Sequence, residues 1–162
     1  MRHALGLITG VLLGMPAFAA SADRYELSFF SVAPPANWHV ESDKDKRLLA
    51  SGSGSEAPPL LIVESCRSGQ PGCPGQCDLP ALERSGMVEG LHMTFKPVAR
   101  EDGYREYAAS DVQATGGDKA FTSVRLLCGP SGFIYAAFMD GASMQAADGA
   151  LDAVVGSIAW KK

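Results

Sequence analysis

Apolar positions along this chain recur mostly with the period of two expected of half-buried strands, and they switch to helical spacing in two places. In YELSFFSVAPPANWHVE, Tyr25, Leu27 and Phe29 alternate with polar partners, and Trp38 and Val40 do the same after a turn at Pro34 and Pro35. Two short strands around that turn are expected. The polar ESDKDK reads as a turn, and RLLAS and PPLLIVES as the next two strands, parted by the small-residue loop GSGSEAPP. The unbroken apolar run from Leu60 through Leu61 and Ile62 to Val63 predicts a strand covered on both faces, hence a central one.

The first helical stretch is placed at residues 79–92. Asp78 stands where it can cap that helix, and Pro80 is tolerated in the first turn. Leu82, Met87, Val88 and Leu91 would form its apolar face, although interior Gly86 and Gly90 each cost about 1 kcal/mol relative to alanine. From Phe95 a three-stranded meander follows. YREYAASDV leads to a turn at Gly116 and Gly117, KAFTSVRLLC to a turn at GPSG, and FIYAAFM completes it. The second helix is the clearest element. Met144, Ala147, Leu151, Val154, Val155 and Ile158 share one face, while Gln145, Asp148 and Asp152 are expected to point away. Ser143 would cap its start and Gly156 end it, leaving SIAW to fold back on the sheet. Strands, helix, strands, helix, with the strands mostly antiparallel, is an α+β arrangement: an antiparallel sheet packed with two helices.

Residues 1–22 have the three parts of a secretory signal. Arg2 and His3 open it, an apolar stretch follows to Met15, and Pro16 precedes small-residue patterns that allow cleavage after Ala19 or Ala22. The apolar stretch falls short of the roughly 20 residues a spanning helix needs. Residues 23–162 then form one domain in the bacterial periplasm or medium, with no membrane insertion once the signal is removed. Loss of Arg2 leaves 13 Lys and Arg against 18 Asp and Glu, a net charge of −5 where the full chain has −4. This acidity, with the only basic cluster (residues 44–47) interrupted by acidic side chains, argues against binding nucleic acid.

All four cysteines, Cys66, Cys73, Cys77 and Cys128, lie in the exported part. An even count in an oxidising compartment reads as two disulfides with three connectivities open. Zinc ligands usually come as two close pairs; Cys73 and Cys77 supply one, but Cys66 and Cys128 make no second. No C-x-x-C is present for thioredoxin-like chemistry. The glycine- and proline-rich loop that carries three of the cysteines has almost nothing apolar to bury, so covalent closure would offset the entropy that packing leaves unopposed. One bridge closing the loop on itself and another tying it to Cys128 on a strand is the expected plan, with the loop partner of Cys128 left open.

Candidate chemistry is sparse. His39 alternates with Trp38 and Val40 and should face solvent; His92 would end the first helix beside its carbonyls, where a cation is favoured. No G-x-S-x-G nucleophile turn and no phosphate-binding glycine motif occurs. Glu101 and Asp102 sit beside Gly103 in what reads as a solvated turn. No catalytic residue, metal site or cofactor is implied.

The segment FFSVAPPANWHVES and the helix ending in GSIAW resemble the superfamily of the photosystem II extrinsic protein PsbP, with DcrB-like bacterial envelope members and a fold shared with a Ran-binding nuclear import factor. The resemblance rests on the strand reaching a proline-asparagine turn and a tryptophan, and on the short serine-containing strand after the last helix. It implies a fold used for binding and assembly. Three functions are thus expected in order: an exported, non-catalytic accessory protein binding another envelope protein or a small ligand; an immunity-type inhibitor of a periplasmic toxic enzyme; and a metal-handling protein using the cysteine loop. The candidate surface is the rim formed by Pro34, Pro35, Asn37, Trp38 and His39 together with the cysteine loop, since rigid loops lose little entropy on binding.

Overall fold

The computed structural model describes residues 23–43, 46–53, 58–74, 76–85, 88, 92–115 and 118–161. The expected signal segment, residues 44–45 of the ESDKDK turn and the glycine turn at 116–117 lie outside them.

Among the described residues the main sheet has seven antiparallel strands in the order β3, β4, β5, β9, β8, β7, β6. These are β3 (His39–Asp43), β4 (Arg47–Ser51), β5 (Leu60–Arg67), β6 (Lys96–Val98), β7 (Arg105–Thr115), β8 (Asp118–Gly129) and β9 (Gly132–Asp140). As its unbroken apolar run predicts, β5 is interior, paired to β4 on one side and β9 on the other. The expected meander is present as β7, β8 and β9, and β6 adds a fourth strand that the alternation did not reveal. Strand alternation sorts the side chains onto two faces. Leu61, Val63, Leu127, Ile134, Ala136 and Phe138 line one, whereas Val124, Leu126, Cys128, Phe133 and Ala137 line the other.

Two long connections cover those faces separately. Between β5 and β6 the chain carries the cysteine loop, the short helix α1 (Leu79–Glu83) and residues 92–95, and its Leu82, Val88 and Phe95 join the second face's core. After β9, α2 (Met144–Gly156) packs Ala147, Ala150, Leu151, Val154 and Val155 into the first core. The Ser143 hydroxyl caps α2 by accepting from the Ala146 N–H at 3.1 Å, as expected.

The structure corrects four expectations. The stretch beginning at Tyr25 is two strands, β1 (Tyr25–Glu26) and β2 (Phe30–Val32), because the Leu27 N–H donates to the Phe30 carbonyl at 2.9 Å. The bend lets the consecutive Phe29 and Phe30 both be buried, which a straight strand with one wet face would forbid. SIAW folds back onto this small unit instead of the main sheet: β10 (Ala159–Trp160) pairs with β2 in a separate three-stranded sheet.

The first helix does not run to His92. It caps at Asp78, whose carboxylate accepts from the Ala81 N–H at 2.8 Å, and stops at Glu83; the Ser85 hydroxyl and N–H both donate to the Leu82 carbonyl. His92 is exposed and outside any helix, so its expected place beside helix carbonyls is lost; Gly86, Met87, Gly90 and Leu91 lie outside the described residues. On α2, Asp148 and Asp152 turn toward the sheet. Ser123 Oγ donates to Asp148 at 2.5 Å and Arg125 Nη2 donates to Asp152 at 2.7 Å, because β8 presents two buried polar side chains to that face and each requires a partner.

Candidate functional site

At one end of the sheet the cysteines form two disulfides, Cys66 with Cys73 and Cys77 with Cys128, with Cα separations of 5.7 and 5.8 Å. The first closes the loop on itself and the second ties it to β8, the expected plan, with Cys77 as the partner the sequence left open. Cys66 is itself on β5, opposite Phe133. Arg105 adds a noncovalent tie by donating to the Cys77 carbonyl at 2.7 Å. Gly132 begins β9 so close to the loop that a Cβ there would lie 2.3 Å from the Cys66 carbonyl oxygen, which only glycine avoids. With all four sulfurs in disulfides, no thiolate remains to bind a metal in this state. Nearby, the Arg67 guanidinium lies over Phe29, Phe29 stacks on Trp160 with ring centres 5.8 Å apart, and Trp160 stacks on Tyr104 at 4.9 Å. Trp160 stacks on both rings and acts as a joint between the small sheet and the residue that leads into β7.

The expected rim divides. Pro34 and Pro35 are buried. Trp38 is half-buried with its ring centre 5.4 Å from that of Phe138, so it belongs to the core. Asn37, at φ 65°, and His39, 3.5 Å from Glu41, are exposed. They are not contiguous with the cysteine loop. His39 is level with Ser51, Leu60 and Met139 across the strands, whereas Cys66 and Cys128 are level with Phe133. Six positions of β9 separate the two sites, roughly 20 Å at strand rise. The rim's two halves lie at opposite ends because β5 spans the full distance between Leu60 and Cys66.

A different surface emerges at the β6–β7 margin. α2 lies over β8 and β9, leaving its own face of β6 and β7 largely open. Val98 and Val112, the exposed large apolar side chains among the described residues, are 38% and 48% accessible and both sit on these two strands. Between residues 92–94 and the edge of β7 a cleft of about 560 Å³ opens, bounded by Lys96, Val98, Ser110, Asp111, Arg125 and Asp148.

Arg125, in the cleft's lining, belongs to a chain of opposed charges. Buried Arg125 donates to Ser123 Oγ, the Val124 carbonyl and Asp152, and its Nε lies 3.5 Å from Glu106. Glu106, equally buried, accepts from Arg100 at 2.6 Å, and Arg100 clamps Asp102 through two nitrogens. The hydrogen bond from Arg100 holds the Asp102 carboxyl below the usual carboxylate range, and the same bond pushes the Arg100 guanidinium's affinity for its proton up. Asp102 is therefore a positioned partner, not the freely solvated side chain its turn suggested. Every arm of Arg125 is committed to the protein, so its role is to fasten α2 to the sheet. Sequence reasoning missed this network; its available signal was one charged residue, Arg125, at a strand position between apolar Val124 and Leu126.

No family model matches the chain, and no curated protein matches it. Among solved structures, a crystal structure of a protein from Bacteroides thetaiotaomicron is similar in fold, with a TM-score of 0.55 at 9% identity. The match covers 83% of this chain but 46% of that one, so this chain spans less than half of its length. At that identity the likeness concerns fold alone, and it agrees with an α+β class built on an antiparallel sheet and two helices.

Proposed function

We propose that the protein is an exported, non-catalytic binding protein of the bacterial envelope, a member of the PsbP-like superfamily that acts by contact with another envelope protein. The observation that supports it best is the β6–β7 margin, where exposed Val98 borders an open cleft whose Arg125 and Asp148 are already paired, and exposed Val112 lies further along β7. Apolar side chains left exposed along a sheet margin cost solvation free energy in the isolated protein, and a partner that covers them recovers it. Two disulfides fit the oxidising compartment that export requires.

The test is site-specific photo-crosslinking of the protein exported by its own signal. A photoreactive residue replaces Val98 or Val112, with Asn37, His39 and Gln76 as reference sites. Adducts concentrated at Val98 and Val112 are expected. Adducts at none of the five positions would overturn the reading. An adduct with an enzyme whose activity this protein suppresses would convert it to the inhibitor alternative.

A further inference from the structure

We propose that the Cys66–Cys73 bridge is a thiol-exchange site: a small thiol enters at Cys73 as a mixed disulfide and opens the turn at residues 68–72, while Cys77–Cys128 stays closed. This goes beyond the binding reading above and does not depend on it. The two bridges share one face of the sheet, because Cys66 and Cys128 are both level with Phe133, one strand to either side. They differ in what surrounds their sulfurs. Cys128 is 2% accessible in a core with Val124, Leu126 and Phe133, whereas Cys66, Cys73 and Cys77 are half-buried. Only the first bridge therefore has both ends open to solvent.

Exchange needs a reachable sulfur to attack and a stable thiolate to leave. At the first bridge an incoming thiolate bonds to Cys73 Sγ as the Cys66–Cys73 bond breaks, and the electron pair leaves on Cys66, where water can hydrate it. A second thiolate then removes the small thiol from Cys73 as its own disulfide, so two thiols are oxidised and one bridge is reduced. Cys73 is the attacked end because it stands on the turn, whereas Cys66 is fixed in β5 opposite Phe133. At the second bridge, attack on Cys77 would expel Cys128 into an apolar core, where burial disfavours a thiolate. Attack on Cys128 would expel Cys77 beside cationic Arg105, but the burial of Cys128 closes that route. The backbone reinforces the difference. Residues 68–72 are all exposed, and the turn is held by the Gln70 N–H to the Arg67 carbonyl at 3.2 Å and the Cys73 N–H to the Gln70 carbonyl at 3.0 Å, bonds that water can replace. Opening stops at Pro74, which is buried. Freeing Cys77 would instead disturb the Asp78 cap and lift Leu82, 1% accessible, out of the second core.

The experiment incubates the oxidised, folded protein with reduced glutathione, quenches samples with N-ethylmaleimide at intervals and maps both modifications by peptide mass. Glutathione on Cys73 with maleimide on Cys66 is expected, forming at least roughly tenfold faster than any modification of Cys77 or Cys128. Hydrogen exchange in the same samples should rise at the turn's amides and stay unchanged in α1 and β8. The double variant Cys66→Ala, Cys73→Ser should abolish the fast reaction and leave the slow one at its former rate. Modification of Cys77 and Cys128 first or at an equal rate would overturn the proposal, as would glutathione carried by Cys66 instead of Cys73. So would protection lost from α1 and β8 together with the turn, or a folded protein that does not react under conditions where the urea-unfolded chain does.

Discussion

On one face of the main sheet, α2 sets Leu151, Val154 and Val155 into a core with Leu127, Ile134 and Phe138; on the other, a glycine- and proline-rich connection is fixed to β5 and β8 by two disulfides. The first face obeys an ordinary rule, since a helix with a continuous apolar stripe buries it and the solvation gain holds the layer. The second cannot follow that rule for its whole length. Between Arg67 and Gln76 its connection has no large apolar side chain, so covalent closure restrains what packing leaves free. Where burial suffices the sequence advertises it through periodicity, and where it fails the sequence advertises that through cysteine.

The largest effect is expected from the packed face. Phe138 is fully buried and packs at a tilt against Trp38, so Phe138→Ala should cost about 4 kcal/mol. Urea unfolding of oxidised and reduced protein checks this. A cost that appears in the oxidised protein alone would show the two faces to be one cooperative layer and break the comparison. Next comes the bridged face. Removing the Cys77–Cys128 bridge with Cys77→Ser and Cys128→Ala opens a closure of 51 residues and should cost roughly 3 kcal/mol, against roughly 2 for the Cys66–Cys73 bridge that closes 7. Hydrogen exchange sharpens the contrast: α1 and residues 92–95 should lose protection while α2 keeps it. Equal loss on both faces would sink the assignment of separate holding forces.

Much of this was legible in advance, and the reasons are particular. Leu60, Leu61, Ile62 and Val63 place β5 inside the sheet because an unbroken apolar run needs cover on both faces. Asp78 and Ser143 mark helix starts because a side-chain acceptor there meets an orphan N–H. The rim failed because exposure of Pro34 and Trp38 depends on what lies across from them, and Phe138 is a hundred residues away in the chain. The β6–β7 cleft was invisible for a related reason: it exists where a long strand outruns its short neighbour, and register is a property of pairs. The turning of Asp148 and Asp152 toward β8 likewise needs Ser123 and Arg125 brought opposite them.

The smallest effect probes the margin where α2's face ends, at the chain of charges from Asp102 through Arg100 and Glu106 to Arg125. Asp102 is held below the usual carboxylate range by Arg100, so its contribution is present above its unfolded value near pH 4 and is lost as pH falls through the lower folded value. Asp102→Asn should therefore destabilise the protein at pH 7 and match the parent once both are studied below the folded value. Because Asp102 is 41% accessible, solvent screening limits the loss to roughly 0.5 kcal/mol. Urea unfolding across pH 2 to 7 at low salt reads the difference, which should shrink further in 1 M salt. Asp102→Ala also removes the acceptor for the Tyr104 N–H, which Asn keeps, so a loss in Asp102→Ala that persists at low pH would mean that Asp102 acts through that hydrogen bond, holding the turn into β7 instead of holding charge. That result would move the margin from electrostatic to backbone control and make the stacking of Tyr104 on Trp160 the joint that matters there.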